Sequence, residues 1–135
     1  MPAVSVFLKD IFNSGIRIMD NYTLVRPGHL NHHGYLFGGM MLKWVDEFAW
    51  LVASKEYRGC RLVTVAMDEI RFRKPVLSGS ILRFNINSLE KGESSVTYQV
   101  DVYSDEPGEA GEKWVFATSV TFVRVDEKGN KTPLP

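Results

Sequence analysis

Scarcity defines this chain before any motif does. Its 135 residues include one cysteine, Cys60, so no internal disulfide can form and no second thiol is present to share a metal. A reducing, cytoplasmic setting is the expectation. Net charge is missing too, since sixteen Lys plus Arg are balanced by sixteen Asp plus Glu. No overall basic field exists to recruit nucleic acid or an anionic membrane, so any anionic ligand must be held by a local cluster. Apolar runs are short: charges break each of them before the roughly 18 residues that a membrane-spanning helix requires. The opening residues Met1 to Ser5 place no basic region before an apolar run, and Lys9 and Asp10 interrupt the hydrophobic residues beyond them. No secretory signal is expected. Repeats and low-complexity tracts are absent, and the length suits one domain with one core.

What is present divides into segments. Residues 4 to 13 contain Val4, Val6, Phe7, Leu8, Ile11 and Phe12, with Ser5 as a possible cap and Gly15 as a stop, a pattern that predicts a short helix there. Residues 16 to 26 read as a strand closed by Pro27-Gly28. From Phe37 to about Tyr57 apolar residues cover most of a helical wheel, and such a helix is expected to be surrounded by protein. Gly59 stops it. Strands come next over roughly 61 to 74, 80 to 90, 94 to 105 and 112 to 125, separated by Pro75 to Gly79, Lys91-Gly92-Glu93 and Asp105 to Gly111. Short connections favour antiparallel pairing. Leu82, Phe84 and Ile86 alternate with polar residues, as do Val96, Tyr98, Val100 and Val102, which gives the sheet one oily face. The expected fold class is therefore α+β: an antiparallel sheet of about five strands wrapped around one long central helix, packed on Met41, Val45, Phe48 and Val52. Residues 1-135 read as a single domain with its core over about 16 to 126, and the polar tail 127-135 reads as a solvated end.

Chemistry concentrates in Asn31-His32-His33-Gly34-Tyr35-Leu36-Phe37-Gly38-Gly39 and in Asp46, seven residues after Gly39 on the same side of the helix. A neutral amide and a carboxylate flanking a Gly-Gly helix start can polarise a carbonyl and activate a water, which points to hydrolysis. A carboxylate inside an apolar stretch is costly unless it is paired or useful. Asp46 is thus a candidate general base, or a nucleophile toward a carbonyl; the bland alternative is an interface carboxylate bonded to backbone amides. Asn31 can orient water or steady an oxyanion, or it can simply close an Asx turn. Gly38 and Gly39 allow close backbone approach, with unpaired N–H groups aimed outward from the helix start, although Gly-Gly also serves as an ordinary joint. His29, His32 and His33 share one loop without a second ligand cluster, so no metal is expected. Glu47, Asp68 and Glu69 read as solvated or ion-paired carboxylates. Strand alternation places Val63, Val65, Met67, Glu69, Arg71 and Arg73 on one face, passing from apolar to basic.

Five blocks together resemble a known family. Asn31-x-x-Gly34-x-x-Phe37-Gly38-Gly39, Trp44-Val45-Asp46-Glu47, Val63-Thr64-Val65-Ala66-Met67, Phe72-x-x-Pro75-Val76 and Gly79 are similar in order and spacing to the hot-dog fold acyl-CoA thioesterases, the YciA-like and brain acyl-CoA hydrolase branch above all. The resemblance spans residues 20 to 126 or so and implies hydrolysis of acyl-CoA to free acid and CoA. CoA is then part of the substrate and no separate cofactor is needed. It also implies a homodimer joined edge to edge, often a trimer of dimers (a homohexamer), with Asn31 of one subunit meeting Asp46 of its partner. In that setting Val65, Ala66 and Met67 would offer backbone groups to the pantetheine amides. Arg71, Arg73, Lys74 and Lys91 become candidates for the phosphates, and Ser94 and Ser95 for the nucleotide. Phe37, Met40, Met41, Trp44 and Phe48 become candidates for the acyl pocket. Where many relatives carry Asn or a small residue before the loop glycine, this chain has His33.

Two other readings compete. A non-catalytic acyl-CoA sensor could use the same fold, but the retained Asn31 and Asp46 argue against it. A dehydratase or hydratase would want an Asp and His pair in the reactive helix, and residues 37 to 57 contain no His.

Overall fold

In the computed structural model of the chain, residues 18–135 are described; the helix expected over residues 4 to 13 lies outside them. The elements run β1 (Ile18–Leu24), a 3-10 turn (Pro27–His29), α1 (Gly38–Glu56), β2 (Arg61–Phe72), β3 (Ile81–Lys91), β4 (Ser95–Asp105) and β5 (Glu112–Val125). All strand pairs are antiparallel, and the sheet order is β1-β3-β4-β5-β2. This is the α+β architecture that the patterning predicts. Among the described residues, no helix is long and apolar enough to cross a membrane.

Helix α1 begins where the sequence turns from the loop motif to Gly-Gly, with extended Phe37 as its N-cap. It stops at Tyr57, two residues before Gly59, whose φ of +79° is readily reached only without a side chain. Met41, Val45, Ala49, Val52 and Ala53 form its buried stripe, three to four residues apart. They pack on a sheet face built from Leu82, Phe84, Ile86, Tyr98, Val100, Val102, Phe116 and Phe122, each fully buried. The alternation read in β3 and β4 is therefore the alternation of the fold. Buried Tyr98 directs its hydroxyl to Glu56 Oε1 at 2.8 Å, which fastens the last turn of the helix to the sheet. On the opposite face Arg83 donates to both carboxylate oxygens of Glu112 and reaches Asp20 at 3.4 Å, linking three segments of chain.

Three expectations need correction. First, α1 is not surrounded: Trp50 and Leu51 are more than 40% exposed, because one sheet covers only one side of a cylinder about 10 Å across. Phe48 is only partly buried, against the Phe84 ring. Second, β2 does not keep a single alternation. Its register against β5 shifts between Thr64 and Ala66 and again between Asp68 and Arg71, and Glu69 takes a φ of +52° at the second bulge. Each extra residue reverses the faces. Met67 consequently packs toward the core beside Val120, while Val63 and Arg71 pair with Val123 and Ala117 on the other face. Third, the C-terminal residues are docked rather than solvated. Lys131 bridges to Val125, the Leu134 N–H bonds the Glu93 carbonyl, and the Leu134 side chain is buried. One apolar residue, set in a polar segment, finds a place at the sheet end.

Candidate active site

The loop before α1 is tightly closed. The Asn31 N–H bonds the Tyr35 carbonyl at 2.7 Å, Leu30 bridges to Leu36, and Gly34 adopts a left-handed φ of +85°. Inside this turn Asn31 Oδ1 accepts the backbone N–H groups of His33 (2.9 Å) and Tyr35 (3.2 Å). The Asx turn considered as the bland alternative is thus real, and it carries a chemical consequence. Two backbone donors fix the orientation of the amide, so Nδ2 is the end left to act on anything outside the loop, as a donor only.

Asn31 borders a groove of about 300 Å³. Leu36, Met41, Val76 and Val115, all buried, form its floor, and Tyr35, Phe72, Arg73, Lys74 and Pro75 form its walls. Of the five acyl-pocket candidates only Met41 lines it. Trp44 and Phe48 instead pack against Phe84, while Phe37 and Met40 lie at the helix start outside it.

Phe37 makes no side-chain cap, and the first N–H groups to turn back onto its carbonyl are those of Met40 and Met41. The amides of Gly38 and Gly39 therefore have no acceptor within the helix. Both glycines lie close to aromatic rings. A Cβ on Gly39 would lie 2.6 Å from the folded-back Phe37 ring, and one on Gly38 would lie 3.3 Å from the Phe72 ring.

Asp46, half-buried on α1, accepts the Thr64 hydroxyl at 2.7 Å through Oδ1. Thr64 carries no sequence signal of its own beyond lying in the third motif block; its pairing with Phe122, in the regular stretch before the first bulge, and the helix register bring it to the carboxylate. Within one chain Asn31 and Asp46 do not meet. The groove beside Asn31 includes Phe72 of β2 and Met41 of α1, whereas Asp46, five residues or about 7.5 Å of helix rise beyond Met41, bonds Thr64 toward the other end of β2.

The basic candidates split in the same way. Arg73 and Lys74 line the groove, with the Arg73 guanidinium 3.8 Å from the centre of the Trp114 ring. Arg71 sits nearby in a shallow depression with Glu69, Gln99 and Ser119. Lys91 and Ser95 are at the opposite end of the sheet: Lys91 Nζ bonds the backbone oxygen of Pro135 at 2.7 Å, and Ser95 packs on Gly92. Arg71, Arg73 and Lys74 also share one surface depression with Ile70 and Phe72, so three of the four phosphate candidates lie together and Lys91 lies apart. Val65, Ala66 and Met67 occupy the middle of β2, the outermost strand on that side of the sheet. Glu47, Asp68 and Glu69 are exposed. The histidines are not gathered: His29 accepts the Arg26 N–H through Nδ1 and packs edge-on against Trp44, whereas His32 and His33 stack on each other at the surface.

Comparison with known proteins adds a separate line of observation. The thioesterase superfamily profile matches residues 33–110. An uncharacterized acyl-CoA thioester hydrolase of Haemophilus influenzae is 32% identical over 118 residues, covering 84% of this chain and 75% of that protein. The chain spans a smaller share, 30%, of the longer cytosolic acyl coenzyme A thioester hydrolase of Homo sapiens. Among solved structures, a hexameric broad specificity acyl-coenzyme A thioesterase superposes with a TM-score of 0.77 at 29% identity, covering 85% of this chain and 79% of the other. The acyl-CoA hydrolase of Staphylococcus aureus, solved with butyryl coenzyme A and coenzyme A, gives 0.78 at 28% identity, covering 87% and 71%. Forms of that enzyme with an asparagine, an aspartate or a threonine replaced by alanine have also been solved.

Proposed function

The chain belongs to the thioesterase superfamily and has its hot-dog fold, and from that premise we propose that it is an acyl-CoA thioesterase, hydrolysing acyl-CoA to a free carboxylic acid and CoA at a site shared by two copies. The observation that carries this reading is a pair of fixed orientations: an amide whose oxygen is held by its own loop, and a carboxylate held at one oxygen by Thr64.

Their division between the two ends of β2 supports a composite site. As the last strand of the sheet, β2 presents unpaired backbone groups, and Val63, Val65, Ile70 and Phe72 are exposed along it. Such an edge seeks a partner strand. A two-fold antiparallel pairing centred near Asp68 sets Thr64 of one copy against Phe72 of the other, which carries Asp46 toward the partner's Asn31 groove. The hexameric assembly of the solved relative is consistent with a trimer of such pairs. Val65, Ala66 and Met67, beside the seam, supply backbone groups toward a pantetheine arm, and Arg71, Arg73 and Lys74 supply charge toward phosphate. Lys91 and Ser95 could join them only from another copy.

In the reaction water attacks the thioester carbon while Asp46 accepts its proton. Charge develops on the carbonyl oxygen, where Asn31 Nδ2 and the amides of Gly38 and Gly39 donate. The intermediate collapses with loss of the C–S bond; CoA leaves as thiolate, takes a proton, and the acid is released. Water is the only co-reactant, and no metal or organic cofactor enters. The lone Cys60 suits a reducing, cytoplasmic environment.

The test is release of CoA thiol from a panel of acyl-CoAs. Asp46→Ala should lower kcat by about a thousand-fold, within the range of a lost general base, with the assembly unchanged on size-exclusion chromatography. Undiminished turnover in this variant, or tight acyl-CoA binding without thiol release by the unaltered protein, overturns the proposal.

A further inference from the structure

Asn31 does not hold itself in place. Its loop leaves β1 through the 3-10 turn Pro27–His29 and returns to the helix start as two short limbs that face each other. Leu30 bridges to Leu36, and the Phe37 N–H bonds the His29 carbonyl at 2.9 Å. The returning limb is fastened to the connection between β2 and β3, because the Leu36 N–H reaches the Val76 carbonyl at 2.8 Å. Asn31 lies on the outgoing limb, and His29 fastens that one.

Three contacts meet at this histidine. Its Nδ1 accepts the Arg26 N–H at 3.0 Å while its own backbone N–H donates to the Arg26 carbonyl at 2.9 Å, so residues 26 and 29 are clasped by a reciprocal pair. The turn they enclose contains Gly28, at which an added Cβ would meet nothing within 4 Å, so packing does not steady it. The His29 carbonyl takes the N–H of Phe37, the residue that caps α1 beside Gly38. Its ring stands edge-on to Trp44 of α1, with centroids 4.9 Å apart, and Trp44 in turn meets the fully buried Phe84 edge-on. Apart from the two bonds that Asn31 makes, the bond from Arg26 to His29 is the only one to a side chain within residues 26–37 among the described residues.

His29 stands two residues before Asn31 and, across the limbs, against the residue that precedes Gly38. It therefore sits between the two sets of N–H donors assigned above to the carbonyl oxygen. Such donors act on a developing charge only from the right place, and a displacement of about 1 Å can cost about a hundred-fold in rate.

Resting on the thioesterase reading above, we propose that His29 is a positioning residue for the hydrolysis: by accepting the Arg26 N–H, its Nδ1 fixes the limb that carries Asn31 relative to the amides of Gly38 and Gly39. It touches no substrate. The benefit is realised where charge has moved onto the oxygen, in the transition state, and so belongs to kcat rather than KM.

Substitution can separate the acceptor from the ring. His29→Asn keeps an acceptor near the Nδ1 position and discards the ring; His29→Phe keeps a ring for Trp44 and discards the acceptor. With the acyl-CoA that the unaltered protein turns over fastest, His29→Phe should lower kcat about ten-fold or more and change KM less than about three-fold. His29→Asn should bring kcat back to within about three-fold of the unaltered value. In an Asn31→Asp background His29→Phe should have almost no further effect, since the donor it positions is already gone. Thermal melting shows which variants are folded; where His29→Phe is not, His29→Gln, whose amide reaches the Nε2 position instead of Nδ1, takes its place. Full kcat in His29→Phe, equal losses in His29→Phe and His29→Asn, or a loss that multiplies with that of Asn31→Asp overturns the proposal and leaves the hydrolase reading intact. Absence of thiol release from every acyl-CoA tried with the unaltered protein instead sinks that reading, and this proposal with it.

Discussion

At the scale of single residues, Asn31 combines two duties that are commonly treated as alternatives. Its oxygen closes the loop and its nitrogen is the end left for a ligand, so the two can be separated by substitution. Asn31→Asp keeps oxygens for the His33 and Tyr35 amides but removes the outward donor; Asn31→Ala removes both. Each should reduce kcat by about a hundred-fold or more, the usual effect of a lost oxyanion donor. Only the alanine variant should also lose stability, by about 1–2 kcal/mol for two unmade loop hydrogen bonds, as read by denaturant titration. Equal destabilisation of both variants would separate the loop geometry from the assigned roles. The sequence named Asn31 and Asp46 because their spacing around Gly38-Gly39 is local. It did not name Thr64 or Phe72 as site residues, because nothing local marks which β2 side chains face the helix, and beyond Thr64 the faces depend on how many residues β2 inserts against β5, neither bulge being marked by glycine.

Among the elements, α1 was the most legible. Its bounds, Gly38–Glu56, lie within a residue of those expected from the loop motif and Gly59, since both signals sit next to the ends they define. The strands β3 and β4 were equally plain, each carrying a clean two-residue alternation. The C-terminal segment was not, because its docking depends on Leu134 alone and on a turn built around Asp126. There the carboxylate accepts the N–H groups of Asn130 and Lys128 at 2.9 Å. The Asn130 amide first, then that of Lys128, holds its pKa below the ordinary 3.8. A carboxyl depressed in the folded state stabilises the turn fully above its ordinary value, and that contribution is lost as pH falls through the depressed one. Protection of the Asn130 amide against hydrogen exchange should therefore be level from neutrality to about pH 4 and decline below it, with chemical exchange rates corrected for pH. Asp126→Asn should remove that decline.

For the whole molecule the decisive matter is what one chain leaves unfinished. The helix face with Trp50 and Leu51, and the outer strand with Val63, Val65 and Phe72, are exposed together, and the two groups proposed to react are held by different partners, Asn31 by its own loop and Asp46 by Thr64. The sequence suggested a helix covered on all sides, and within one chain Trp50 and Leu51 are left uncovered. A mixing experiment tests this directly. Asn31→Asp and Asp46→Ala proteins should each be inactive alone, but after joint unfolding and refolding the mixed pairs contain one site with both groups intact. Activity should return to about one quarter of the unaltered level, as random two-fold pairing dictates. No recovery would mean that both groups act within one chain. The two bulges of β2 have a further consequence for this seam. They leave a regular stretch only a few residues long between them, so in the proposed pairing a neighbouring copy would find a single register and no room to slide. Once that copy is seated the edge is used up, and growth toward fibres along this strand is closed off.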